Sequence, residues 1–153
     1  MKKNNHRILI NFLKNQPIEI ISGNLYINIS DDEDWEILDN DSISNFEHSI
    51  IKIFDTVAKK EFFMFLVNAS ITIKNNIAQI NTFSNSRIFI KDKKKVNYKE
   101  QIRSINKEIN DLEILKNIGM GIDDFITLEE YKSQLYELKM MQFLNLVEEN
   151  KYE

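Results

Sequence analysis

Apolar and polar positions along the chain change their period once, near residue 92: up to that point the pattern is mostly one of strands, and beyond it one of helices. Ile18-Glu19-Ile20-Ile21 and Leu25-Tyr26-Ile27-Asn28-Ile29 are β-branched runs on either side of Ser22-Gly23-Asn24, which predicts a hairpin. Trp35 and Ile37 alternate with charged neighbours and predict a short third strand. From Glu61 to Ile73 the near-continuous apolar run with Phe62, Phe63, Phe65 and Val67 predicts a central strand covered on both faces. Lys74-Asn75-Asn76 and Ser84-Asn85-Ser86 punctuate two return strands, 77–83 and 87–91, completing a three-strand meander.

Two segments before residue 92 read as helices instead. In Asn5–Asn15, Ile8, Leu9, Phe12 and Leu13 fall at i and i+4, and the run stops before Pro17, the only proline. In 44–59, Ser44-Asn45-Phe46-Glu47 offers a capping box, and Phe46, Ile50, Ile53, Phe54 and Val57 follow at helical spacing. Residues 1–91 are therefore expected to form an α+β domain: a small, mostly antiparallel β-sheet with one or two helices.

Asp92-Lys93-Lys94-Lys95 breaks the pattern, so 92–96 is read as a basic linker and 97–153 as a C-terminal α-helical hairpin. Asn97 can cap a helix, with Glu100 three residues on, and Ile102, Ile105, Ile109 and Leu112 form a 3-4-3 stripe that continues to Leu115 and Ile118. Gly119 ends it. Thr127-Leu128-Glu129-Glu130 reads as a second capping box, and Leu128, Tyr131, Leu135 and Leu138 repeat the stripe, so the two stripes should face each other. Further on, Met140, Met141, Phe143, Leu144, Leu146 and Val147 carry more apolar surface than a two-helix pair can hide. Met140, Met141, Phe143, Leu144 and Val147 are thus the candidate packing or oligomer surface, against the first domain, a second copy or a partner.

The stretch Leu112-Glu113-Ile114-Leu115-Lys116-Asn117-Ile118-Gly119, followed by Ile126-Thr127-Leu128-Glu129-Glu130-Tyr131-Lys132-Ser133-Gln134-Leu135, resembles the SHOCT short C-terminal module. Here the loop carries the insertion Met120 to Phe125, and Lys132-Ser133-Gln134 stands where that module usually has a lysine pair. The resemblance implies a small α-hairpin appended to another domain and serving oligomerisation or partner contact.

Composition narrows the chemistry. With no cysteine, and with His6 and His48 the only histidines, disulfides, thiolate zinc sites, cysteine nucleophiles and multi-imidazole zinc sites are excluded. Oxygen-ligand metals remain open, but no cofactor is expected. The 25 isoleucines and 19 asparagines reflect an AT-rich coding sequence, pointing to a low-GC bacterium, a mobile element or a phage. Met1-Lys2-Lys3 leads to no small-residue cleavage site, and the longest apolar run, Phe62 to Val67, is far short of the about 20 residues a membrane span needs. A cytoplasmic protein that does not enter a membrane is the expectation.

The most distinctive charged stretch is 31–41, where Asp31, Asp32, Glu33, Asp34, Glu36, Asp39 and Asp41 surround Trp35 without one Lys or Arg. Counted from Asp32, the sixth and twelfth positions of a calcium-binding EF-hand loop would hold Ile37 and Ile43 instead of glycine and glutamate, so that reading fails. A surface of acids around one large aromatic suits docking on a basic partner, whereas a solvated turn with Trp35 in the core is the plainer alternative. Arg87–Lys107 holds eight Lys or Arg against Asp92 and Glu100, yet the net charge of −4 and the acidic flank argue against nucleic-acid binding. Gly119-Met120-Gly121 follows a helix and lacks the Lys-Ser/Thr of a phosphate loop; no Gly-x-Ser-x-Gly element occurs, and a lone His48 is a surface residue. The functional expectation is a non-enzymatic macromolecule-binding protein: an inhibitor, immunity or anti-defence protein docking acids on a basic partner. The alternatives are a scaffold or homo-oligomer built on the C-terminal helices, and a metal-dependent enzyme with dispersed carboxylates.

Overall fold

A computed structural model describes residues 5–28, 31 and 34–149. The chain is α+β and divides into two units, one running to Ile90 and taking in Glu148 and beyond, the other Lys91–Val147.

The first unit contains β1 (His6–Asn11), β2 (Ile18–Asn28), β3 (Trp35–Ile37), β4 (Ser42–Asp55), β5 (Lys60–Lys74), β6 (Ile77–Asn81) and β7 (Ile88–Lys91). Antiparallel pairing runs β1–β2, β2–β4, β4–β5 and β5–β6. Four reversals return β6 to the direction of β1, so the pair that closes the ring must be parallel. It is, from Arg7↔Ile77 to Asn11↔Asn81. Five strands thus close into a barrel, while β3 adds to β2 and β7 to β5. The expectation of a small, mostly antiparallel sheet understates this closure; a barrel leaves fewer edges to protect. Its interior is filled by alternate residues, among them Ile8, Ile10, Leu25, Ile51, Ile53, Phe62, Met64 and Ile71. Each such burial contributes about 1.5–3 kcal/mol relative to exposure.

Three expected elements differ. The segment 5–15 holds strand β1, because His6, Ile8 and Ile10 alternate inward while Arg7 points out to an ion pair with Glu19. Segment 44–59 holds strand β4, not a capped helix. Ile50 and Ile51 are both buried because the strand is covered on both faces at that level, and two-sided burial mimics a 3-4 stripe. Thirteen positions of β4 between Ser42 and Asp55, all but Glu47, find partners on β5, a tertiary gain that overrides local capping. The expected hairpin at Ser22-Gly23-Asn24 is one continuous strand, β2, in which glycine marks a bulge. A Cβ on Gly23 would lie 2.9 Å from the Phe54 carbonyl oxygen, so the neighbouring strand can approach only a residue without a side chain.

The β4–β5 turn is closed by Asp55, whose Oδ1 accepts the N–H groups of Val57 and Ala58 at 3.0 Å.

The second unit is built on α1 (Lys99–Ile118) and α2 (Ile122–Leu144), followed by β8 (Leu146–Glu149). The two helices pack on each other, and Lys132 on α2 reaches Glu113 on α1 at 3.1 Å. Gly119 caps α1 at φ 133°, a conformation closed to most side chains, and its N–H donates to the Leu115 carbonyl. The second helix begins at Ile122, earlier than the Thr127 capping box implied. Thr127 is helical, and its hydroxyl donates to the Asp123 carbonyl at 3.0 Å.

Candidate functional site

Three surfaces stand out, one on the barrel unit and two on the helical unit. On the outer wall of the barrel, Tyr26, Lys52, Phe63 and Phe89 sit opposite one another across β2, β4, β5 and β7. Lys52 Nζ lies 4.6 Å from the centre of the Tyr26 ring and 4.9 Å from that of Trp35, and the Trp35 ring leans on Phe63 at 5.6 Å. Strand β3 is paired to β2 through the same tryptophan. Trp35 is therefore half-buried and fixed in place. Asp31, Asp34, Glu36, Asp39 and Asp41 are all exposed; Asp32 and Glu33 lie outside the described residues. Asp31 (φ 54°) and Asp41 (φ 59°) take left-handed turn conformations that aspartate tolerates, and the Ser42 hydroxyl donates to the Asp39 carbonyl at 2.7 Å.

In the helical unit, the residues expected to need cover fall into two groups. Met140, Met141 and Leu144 are buried within the chain, and Val147 is half-buried. Only Phe143 stays exposed, at 55%. The large exposed apolar surface is at the other end of the hairpin. Ile114, Leu115 and Ile118 in the last turns of α1, and Ile122, Phe125 and Ile126 in the first turn of α2, are between 42% and 78% exposed. The reading of the sequence missed this tip, although a signal is present: a connection between helices is normally polar, and Gly119-Met120-Gly121-Ile122 is not. Asp123, Asp124, Glu129 and Glu130 are exposed around it. Lys132 lies between Glu113 at 3.1 Å and Glu129 at 3.8 Å, and its hydrogen bond to Glu113 raises its pKa above the usual lysine value.

The third surface is the basic stretch that opens the second unit. Its backbone is held by Asn145, whose side chain bonds three residues of the 92–96 loop. Tyr98 donates its hydroxyl to the Leu146 carbonyl at 2.7 Å, and burial, with the nearby Asp92 charge adding to it, raises its pKa. Among the described residues, no group of three or more His, Asp and Glu side chains converges as metal ligands would. His48 is exposed in β4; His6, by contrast, is buried at the start of β1 without a hydrogen-bond partner for either ring nitrogen.

Comparison with known proteins places these surfaces in a family. A family model for the UU051 N-terminal domain matches residues 7–87, which is nearly the whole barrel, and one for the C-terminal domain of the uncharacterised protein UU051 matches residues 99–149. Protein UU051 of Ureaplasma parvum serovar 3 is 34% identical over 155 residues, covering 97% of this chain and 91% of that one. The second domain match corrects the likeness of the hairpin to the SHOCT module. What suggested that module was capping residues, a leucine-type stripe and a terminating glycine, which any short helical hairpin requires.

Proposed function

The chain belongs to the UU051 family, and on that premise we propose that it works as a non-enzymatic protein-binding protein. Its partner is a protein whose apolar cleft is rimmed by basic residues. The observation that carries this reading is the hairpin tip, six large apolar side chains exposed on either side of Gly119-Met120-Gly121. Monomers rarely leave so much contiguous apolar surface in water. The charges around it select the partner: Asp123, Asp124, Glu129 and Glu130 outnumber Lys116 and the ion-paired Lys132. A basic rim complements them and speeds encounter.

The acidic edge of the barrel unit favours the same class of partner. Its carboxylates are exposed and Trp35 is immobilised, so little ordering entropy is lost on contact. Stoichiometric inhibition, including immunity or anti-defence roles, needs no more than such a surface.

The test uses the full chain as bait in its native host, beside the double variant Ile118→Asp, Ile122→Asp. Both positions are exposed, so the melting temperature should hold. Support is a basic protein retained by the wild type and lost with the variant. Capture that does not depend on the tip overturns the reading. So does a wild-type dimer in light scattering that the variant converts to monomer, which would assign the tip to self-association.

A further inference from the structure

Seven cations lie between Lys91 and Lys107: Lys91, Lys93, Lys94, Lys95, Lys99, Arg103 and Lys107. Against Asp92 and Glu100 they leave this segment at +5, while the rest of the chain carries −9. All seven are exposed, and among the described residues none of them forms an ion pair. The other exposed charges of the chain include paired groups such as Arg87 with Glu148 and Lys132 with Glu113. What sets this stretch apart is density: seven exposed cations within 17 residues against two acids.

Its geometry is regular. Lys99, Arg103 and Lys107 recur at i, i+4 and i+8 along α1 and so share one face, each step rising about 6 Å. That is the scale on which phosphates recur along a nucleic-acid strand. Upstream, Lys95 and Lys99 flank a pocket of about 400 Å³, lined also by Val96, Asn97 and Gln142. The loop with Lys93, Lys94 and Lys95 is not loose: Asn145 Nδ2 donates to the carbonyls of Asp92 (2.8 Å) and Lys94 (3.0 Å), and Asn145 Oδ1 accepts the Val96 N–H at 2.7 Å. The loop backbone that carries these lysines is held before any ligand arrives.

For the isolated chain the arrangement is unfavourable twice over. Like charges at i, i+4 repel, and cations in the first turn of a helix oppose its dipole. A polyanion relieves both. We propose that the 92–96 loop and the N-terminal half of α1 form a sequence-independent binding surface for the phosphodiester backbone of nucleic acid. An anionic membrane fits less well, because surface-lying helices insert an apolar face, and no large apolar side chain among the described residues is exposed between Phe83 and Ile114. The same lack of an apolar anchor disfavours an acidic protein. Tyr98, the aromatic of this stretch, is half-buried with its hydroxyl bonded to Leu146, and the exposed groups that remain are mostly cations, which contact phosphates and carry no sequence information.

The stripe and the hairpin tip are separate surfaces, and this proposal does not rest on the protein-docking reading. Fluorescence anisotropy of a labelled duplex, DNA in one arm and RNA in the other, tests it on the full chain, with phosphatidylglycerol vesicles as a third arm. Binding should fall with salt at a log–log slope of about −4, as expected for four or five phosphate contacts. The triple variant Lys99→Glu, Arg103→Glu, Lys107→Glu should lose at least about tenfold in affinity at low salt. Lys99→Glu alone should bind more weakly yet melt higher, since it removes a repulsion and places an acid in the first turn. The tip variant Ile118→Asp, Ile122→Asp should bind nucleic acid as the wild type does. No duplex binding at about 100 μM protein and low salt, equal binding by the triple variant, or binding to vesicles alone overturns the proposal.

Discussion

The Val96 backbone N–H donates to Asn145 Oδ1 at 2.7 Å, and this bond ties the segment entering α1 to the residue that ends α2. Asn145 sits at φ 61°, ψ 49°, a left-handed conformation that asparagine tolerates, and from there both ends of its amide face the loop. Its carbonyl also accepts the Asp92 N–H at 3.0 Å. One residue thus satisfies six loop and cap groups, because its own N–H donates to the Met141 and Gln142 carbonyls at the end of α2 as well.

Replacing Asn145 separates its two roles. Asn145→Gly keeps the backbone conformation and deletes three side-chain hydrogen bonds, for an expected loss of about 1–3 kcal/mol. Asn145→Ala should lose about 1 kcal/mol more, the cost of a Cβ in the left-handed region. Urea titration followed by helical ellipticity measures both. If the glycine variant matches the wild type, the three bonds contribute nothing to stability.

Tyr98 adds an alkaline limit to the same corner of the unit. Burial, and then Asp92, raise its pKa above the ordinary 10.0, so the folded state holds the phenolic proton more tightly than the unfolded chain. The sign follows: this contribution is complete below pH 10 and is lost as pH climbs through the folded value. Tyr98→Phe removes both the hydroxyl bond to Leu146 and the titration. At pH 8 the variant should be about 1 kcal/mol less stable, and above pH 10 the gap should narrow. Melting curves across that range check it; a gap constant with pH refutes the assignment.

Where one physical effect governs a segment, it is legible in the sequence; where two compete, it is not. β5 to β7 announce themselves through branched and aromatic runs cut by Asn-rich turns, and Asn75 and Asn76 do adopt left-handed turn conformations. Both helices follow from their stripes. β4 is misread because Ile50 is covered from outside and Ile51 from inside, erasing the alternation that defines a half-exposed strand. Ring closure between β1 and β6 leaves no local trace, since it depends on the count of reversals and not on any one residue. The tip was passed over for a related reason. The stripe thickens at Met140–Val147, which the chain itself largely covers, while Ile118 and Ile122 continue the helical pattern and carry no separate mark in the sequence.

Gly23 is the position where the barrel tolerates least change. Besides the Phe54 carbonyl at 2.9 Å, an added Cβ would meet Ile20 Cγ2 at 3.1 Å and Ile8 Cδ1 at 3.2 Å. The two isoleucine contacts can yield by rotation, but the carbonyl belongs to the β2–β4 pairing and cannot move without breaking it. Gly23→Ala should therefore destabilise the barrel unit by about 1–3 kcal/mol, against the small stabilisation usual for glycine to alanine at an unconstrained site. Stability by chemical denaturation decides between the two signs.

Trp35, the only tryptophan, reports on the acidic edge without a label. Its ring is fixed by Phe63 at 5.6 Å and by Lys52 Nζ at 4.9 Å. Lys52→Met keeps the length and apolar stem of the side chain but removes the charge over two aromatic faces, so it should cost about 0.5–1 kcal/mol. It also removes a cation that lies against the tryptophan the acids flank in sequence, so the edge should attract cationic peptides more strongly, with an on-rate that rises and becomes more sensitive to salt. Phe63→Ala removes the ring's support and should shift Trp35 emission to the red at a cost of about 3–5 kcal/mol. Tryptophan emission and stopped-flow mixing with a polylysine peptide measure these effects. If Lys52→Met leaves the association rate unchanged, the acidic edge does not steer encounter, and partner selection rests with the hairpin tip alone.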